Sequence, residues 1–402
     1  MSARFNTEAL LKARPTEVFS KLQSRGLLMA VVGLAASAAG FFFQGKDEFL
    51  QSYLIAYMLW VGITVGSLAL LMVQYLSGGA WGLVGRRVFE ASTRNLPLMA
   101  LLFLPIAFNL ETLYAWVNPA EDIKHLVHEK HAYLNQTFFF IRAGLYFLIW
   151  MGLAFFFNRW SREQDDTAKR LPGRMDGRMR MLAGPGLVLY MLTITFMSVD
   201  WMMSLDPEFT STIFGVLTLG GQGLSTLAFT VLVLAALSTT KPVADVIEPD
   251  HFHDFGKLML AFTMLWAYFN VSQLIIIWSA NLPEEIPWYV KRLGGTWGPI
   301  SVLVLVGHFA LPFAVLLSRN LKRSAKTLSM IAIWVLLMRV VDLSWTIRPV
   351  FNEQGTISWL DFAVVLGMGG IWLVAFSRNL AGRAVVPAHD PYFEEALAHG
   401  GH

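Results

Sequence analysis

Apolar runs of 18 or more residues recur along this 402-residue chain, each followed by a short polar stretch. A run of that length crosses a hydrocarbon core about 30 Å thick at about 1.5 Å per helical residue. The pattern predicts ten membrane-spanning helices, over 26–43, 53–76, 96–116, 136–157, 184–205, 212–236, 258–278, 298–317, 328–347 and 357–376. The expected fold class is an all-α polytopic membrane protein.

Composition agrees. Hydrophobic residues make up 55% of the chain and charged residues 15%, against about 25% charged in an ordinary soluble domain. Cysteine is absent, which removes disulfides, cysteine-ligated zinc or iron–sulfur clusters and a C-x-x-C-H haem attachment. The net charge of +3 is no nucleic-acid footprint, because the bases sit in connections beside apolar runs. Residues 1–25 are polar, of mixed charge and unlike a signal peptide.

Those bases orient the chain. The N-terminal segment, the connections after spans two, four, six and eight, and the C-terminal tail hold 23 of the 31 Lys and Arg. The opposite side holds six: Lys46, Lys124, Lys130, Lys291, Arg292 and Arg348. Both termini are therefore expected on the cytoplasmic side. The outer connections are acidic or aromatic (Asp47-Glu48, Glu121-Asp122, Glu284-Glu285, Trp288-Tyr289), which suits an aromatic belt or a docking surface.

Three correspondences suggest that spans two to five and six to nine form a parallel repeat. Asn109 and Asn270 lie 161 positions apart, Arg159 and Arg319 lie 160 apart, and Asp200 and Asp342 each precede a proline by seven residues. Two four-helix bundles flanked by the first and tenth spans would follow. The expected units are a cytoplasmic segment 1–25, the first flanking helix and outer loop 26–52, bundles 53–211 and 212–350, the tenth helix 351–378 and a cytoplasmic tail 379–402. Both flanking spans are rich in small residues, Gly33 to Gly40 and Gly367 to Gly370, and are expected to seal bundle edges or meet another subunit.

Ionisable residues inside the apolar runs need a reason, at about 2.5–3.5 kcal/mol each even on the lenient insertion scale. They are Glu111, Arg142, Asp200, His308, Arg339, Asp342 and Asp361, joined by the neutral Asn270, Gln273, Gln222, Tyr146 and Tyr190. Most crowd the outer half; only His308 and Arg339 lie near the midplane. In one reading Arg142 neutralises Asp200 or Glu111, and Arg339 pairs with Asp342 at i, i+3. In the other, the carboxylates and His308 form a proton relay, or the set lines a site for a polar headgroup. A bis-histidine haem would need two intramembrane histidines, and only His308 qualifies. His125, His128 and His131 read as a solvated loop rather than a metal site. No metal and no haem are expected.

Two stretches carry a resemblance. Ser198-Val-Asp200-Trp201-Met-Met-Ser204-Leu-Asp206-Pro207, running on to Gly215, and Ser272-Gln273 through Trp278, Asn281, Pro283-Glu284-Glu285, Trp288-Tyr289 and Arg292 resemble the signatures of NrfD/PsrC-like, polysulfide-reductase-type membrane subunits. Within that family the chain looks most like the F-type membrane component of bacterial alternative complex III, a quinol:electron-acceptor oxidoreductase. The C-type sister component of that complex, also NrfD-like, shares both motifs. The resemblance implies two four-helix bundles and no redox centre in this chain. It also implies partners: the C-type sister, a periplasmic iron–sulfur subunit, and multihaem and monohaem cytochrome c subunits, with a terminal oxidase beyond them. It places the protein in the bacterial inner membrane, near menaquinol or ubiquinol. The resemblance carries over, residue by residue, Asp200 and Asp206 in the first stretch and Gln273, Asn281, Glu284 and Glu285 in the second. From the buried polar residues themselves, Asp200, Asp342, Glu111, Arg142, His308, Arg339 and Asp361 are expected on a proton pathway, and Asn270, Gln273 and Tyr190 in a quinone or polar pocket. A secondary transporter is the competing reading, since internal repeats and buried charges occur there too.

Overall fold

The computed structural model describes residues 15–167, 174–387, 389–390 and 393. Helices α1 (Thr16–Gln44) and α2 (Lys46–Ser77) lead to α3 (Ala80–Thr93) and three short pieces, α4 (Leu96–Leu102), α5 (Leu104–Ala107) and α6 (Leu110–Leu113). Then come α7 (Gln136–Thr167), α8 (Arg174–Trp201), α9 (Phe214–Leu237), α10 (Pro249–Ala280) and the short α11 (Ile286–Leu293). The chain continues through α12 (Trp297–Leu317), α13 (Ala325–Ile347) and α14 (Trp359–Ala381). Among the described residues there is no strand, and nine helices are long and apolar enough to cross a membrane: α1, α2, α7 to α10 and α12 to α14. This is an integral membrane protein built of helices. Of the bases that orient the chain, Arg4, Lys12, Arg14, Lys169 and Arg170 lie outside the described residues, as does the end of the expected tail.

The expected third span, 96–116, is not one of the nine continuous helices. Pro105 has no N–H to give to Leu101, and the ladder slips beside it: Ile106 N bonds Phe103 O at 3.1 Å instead of Leu102 O. Tyr53 of α2 takes up the Leu102 carbonyl that the slip frees, its Oη donating at 2.8 Å. Tyr57 Oη adds a second donor, at 3.3 Å, to Met99 O, which already accepts from Phe103 N. Since 53 meets 102 and 57 meets 99, the broken segment runs antiparallel along α2. Hydropathy registers its apolar length and not its interrupted ladder.

α2 is buried along almost its whole length, whereas α10 and α12 turn most of theirs outward. α2 and α9, the leading helices of the two expected repeats, lie side by side, with Thr226 Oγ1 3.3 Å from Ile63 O. The two flanking helices pack on each other. A Cβ on Gly33 would fall inside the backbone of Gly367, and one on Gly370 inside that of Ala30. In lipid, where apolar burial gives little drive, such backbone contact holds helices together by dispersion. Ser324 and Ser358 cap α13 and α14, accepting from Thr327 N and Leu360 N.

α12 widens into a π-helical turn at Leu305–Ala310. Pro312 lies four residues after His308 and cannot bond its carbonyl, so the helix has already lost a rung there. Trp334 Nε1 takes up the neighbouring Gly307 carbonyl at 2.7 Å.

Candidate functional site: three clamped carboxylates and His308

Each of the three buried intramembrane aspartates is held by an arginine. Asp200, 1% exposed near the end of α8, takes two hydrogen bonds of 2.8 Å from Arg142 Nε and Nη2 on α7. Tyr146 Oη adds a third at 2.6 Å, and the Arg142 guanidinium lies 3.9 Å from the Tyr133 ring centre. This fork-on-fork geometry makes the pair both directional and strong.

Asp342 takes its arginine from its own helix: Arg339 sits one turn earlier on α13 and hydrogen-bonds Oδ2. The guanidinium fits only because position 221 on α9 is glycine; a Cβ there would overlap its carbon. Beside the pair lies a cavity of about 30 Å3, walled by Thr218, Trp266, Asn270, Trp345 and, just past the end of α8, Met202. That is room for water and nothing larger. His308, fully buried in the π-turn, stands edge-on to the cavity-lining Trp266 at 4.6 Å. Neither of its ring nitrogens has a hydrogen-bond partner among the described residues.

Asp361 opens α14, fully buried, under the densest clamp. Arg348 Nε and Nη2 reach its two oxygens at 2.7 and 2.6 Å, and Ser52 and Ser344 hydroxyls add bonds of 2.8 and 2.9 Å. Arg348 Nη1 also meets Glu48 at 2.5 Å. One guanidinium thus ties the start of α2 to α14 and the end of α13. Sequence reasoning placed Arg348 in an outer loop and missed this role. The available signal was its breach of the charge asymmetry.

Other expected residues scatter. Glu111 lies exposed in α6 with no ion pair among the described residues, so Arg142 selects Asp200. Asn270 lines the small cavity, its amide bound to Trp266 O at 2.8 Å. Gln273 accepts from Ser211 at 3.0 Å and lines a separate groove of about 230 Å3 with Glu285. Tyr190 bonds Gln222 at 3.0 Å, away from both. The three do not form one pocket. His125, His128 and His131 are exposed on the connection between α6 and α7.

A second buried network lies at the basic end, where the sequence suggested only a charged loop. α3 buries Arg86, Arg87 and Glu90. Glu90 receives Arg87 at 2.8 Å, Arg383 at 3.1 Å and the Ser161 hydroxyl at 2.6 Å. Arg86 continues to Gln164 at 2.6 Å and to Asp390, and Arg87 to Asp165 at 2.5 Å. Burial would raise the Glu90 carboxyl, but Arg87, Arg383 and Arg86 hold it down to about 2. The i+3 and i+4 spacing of Glu90 from the arginine pair was the local clue.

On α11, Arg292 is fully buried on the face of Trp288, 3.7 Å from the ring centre. It donates to the carbonyls of Trp288 and Thr346 at 2.7 and 2.6 Å. Burial lowers it to about 9, with Asp206 compensating in part.

No protein-family model matches the chain, and no curated protein matches it in sequence. The class that fold and composition define is a polytopic helical membrane protein.

Proposed function

We propose that this protein is a redox-centre-free integral subunit of a respiratory quinol-oxidising complex of the alternative complex III type, in the bacterial inner membrane with both termini cytoplasmic. In this reading it has ten spans, the broken segment α4 to α6 serving as the third, arranged as two four-helix bundles between paired flanking helices. It works beside an NrfD-like sister in the membrane, the iron–sulfur subunit and the cytochrome c subunits, and the F-type assignment is favoured over the C-type. The two signature stretches support the assignment, and their residues supply the Asp200 clamp and the Gln273 groove.

Quinol oxidation releases two protons with two electrons. Electrons would leave to the partners, and this chain would take protons. The observation that carries this role is His308: a buried imidazole with both nitrogens unpartnered, packed against Trp266, which itself lines the water-sized cavity at the Arg339–Asp342 pair. Water in that cavity would link Asp342 and Asn270, one side chain (Trp266) away from the imidazole. The cavity is far below the roughly 300 Å3 at which ligand pockets begin, so it fits proton transfer and excludes a quinol ring. The Gln273 groove, at about 230 Å3, is below that size too, and the groove of about 570 Å3 lined by Trp278, Asn281 and Tyr289 exceeds it.

A tagged chain extracted gently from its native membrane tests the assignment. Co-recovery of a multihaem cytochrome c and an iron–sulfur protein is expected. Recovery of the chain alone, with solute transport in vesicles, would replace the assignment with the transporter reading. That second reading is favoured by the broken α4–α6 segment, since interrupted helices line transporter sites.

A further inference from the structure

At the basic end, between the α3–α4 turn and α7, lies a cavity of about 740 Å3, within the size range of ligand sites. One wall is apolar, made by Leu96, Pro97, Met151 and Phe155. Phe155 and its neighbour Phe156 are exposed on α7, so this wall continues onto a face suited to lipid.

The rim is cationic and under-compensated. Arg159 is taken up by Glu163 at 3.0 Å, and Asp166 is solvent-exposed, where screening weakens it. Arg94 gives one nitrogen to the Asn379 carbonyl, and its Nε is buried with no hydrogen-bond partner. Neither Arg94 nor the exposed Arg162 makes an ion pair among the described residues. Burial and the nearby Arg383, Arg162 and Arg87 lower Arg94 to about 10, Glu90 opposing. Arg383 is lowered as well, by burial and by repulsion from Arg87 and Arg162. A cluster of mutually repelling guanidiniums, one of them partly desolvated, is relieved by an anion.

We propose that this groove binds an anionic phospholipid of the adjoining leaflet, its phosphate between Arg94 and Arg162 and an acyl chain along Met151 and Phe155. Basic pockets between helices, opening beside an apolar face, recognise such headgroups. A soluble phosphate would use the rim and leave the apolar wall bare. The site lies at the opposite end from the clamped aspartates and does not depend on the function proposed above.

Native mass spectrometry of the full-length chain, titrated with phosphatidylglycerol or phosphatidylcholine of matched chains, tests this. Wild type should retain phosphatidylglycerol in preference. Arg162→Gln, at an exposed position, should weaken that retention about fivefold, and adding Arg94→Gln about fivefold again. Equal retention of the two lipids overturns the proposal. So does unchanged retention in Arg162→Gln at a native melting temperature, a result that stands even where Arg94→Gln does not fold. Displacement of the lipid by glycerol 3-phosphate at equal concentration would assign the rim to a soluble phosphate and also overturn it.

Discussion

The guanidinium of Arg142 and the carboxylate of Asp200 meet through two hydrogen bonds of 2.8 Å across a sequence separation of 58 residues. Asp342, its expected repeat counterpart, is held instead from three residues away on its own helix. The first clamp therefore joins two helices, and the second closes within one helix, its guanidinium packed against Gly221 of α9.

Removing one side of the Asp200 clamp should cost far more than removing both. Arg142→Ala strands a buried carboxylate and is expected to destabilise by about 3–5 kcal/mol, while Arg142→Met with Asp200→Leu recovers most of the loss. Thermal unfolding in detergent measures both. Equal melting temperatures for the single and double variants would contradict the clamp.

The Glu90 network sets an acid limit. Its folded value of about 2 lies below the ordinary 4.5, so its stabilisation is complete above about 4.5 and is lost progressively as pH falls toward 2. Glu90→Gln should flatten that part of the stability profile. It should also lower stability at pH 7 by about 3 kcal/mol, since three arginines lose their shared anion. An acid-unfolding series of both proteins decides this.

His308 offers a separation of stability from function. His308→Leu removes two buried unpartnered nitrogens and should leave the melting temperature unchanged or raised, by up to about 1–2 kcal/mol in stability. Proton release coupled to quinol oxidation by the intact complex should fall at least tenfold. Unaltered release with a folded protein would remove His308 from any proton route.

The contact between flanking helices predicts a sharp steric response. Gly33→Val places side-chain carbons inside the Gly367 backbone, and overpacking of this kind costs about 1–3 kcal/mol. Val31→Ala, on a face of α1 that is 60% exposed, should leave stability within about 0.5 kcal/mol. A melting comparison of the two variants reports whether α1 rests on α14 through its glycines.

The long helices were legible because each needs only an unbroken apolar run, a local property. The Arg339–Asp342 pair was legible for the same reason, at a spacing of three. The break near Pro105 was harder: the proline is visible, but the tyrosines that bond the broken segment come from α2, 49 and 42 residues before the carbonyls they reach. Arg348 depends on Glu48 and Ser52, about 300 residues away, and no periodicity carries that information. The α3 network was hidden by its composition, since two adjacent arginines after a span look like an ordinary cytoplasmic loop.

The union of α1 with α14 bears on how the protein is made. Gly33 meets a partner that is synthesised 334 positions later. At about 5–20 residues per second, the first helix waits on the order of 20–70 s in the bilayer with its small-residue seam open. The seam closes only when α14 is inserted, so a nascent chain stopped short of α14 displays a vacant seam for membrane quality control to read as unfinished.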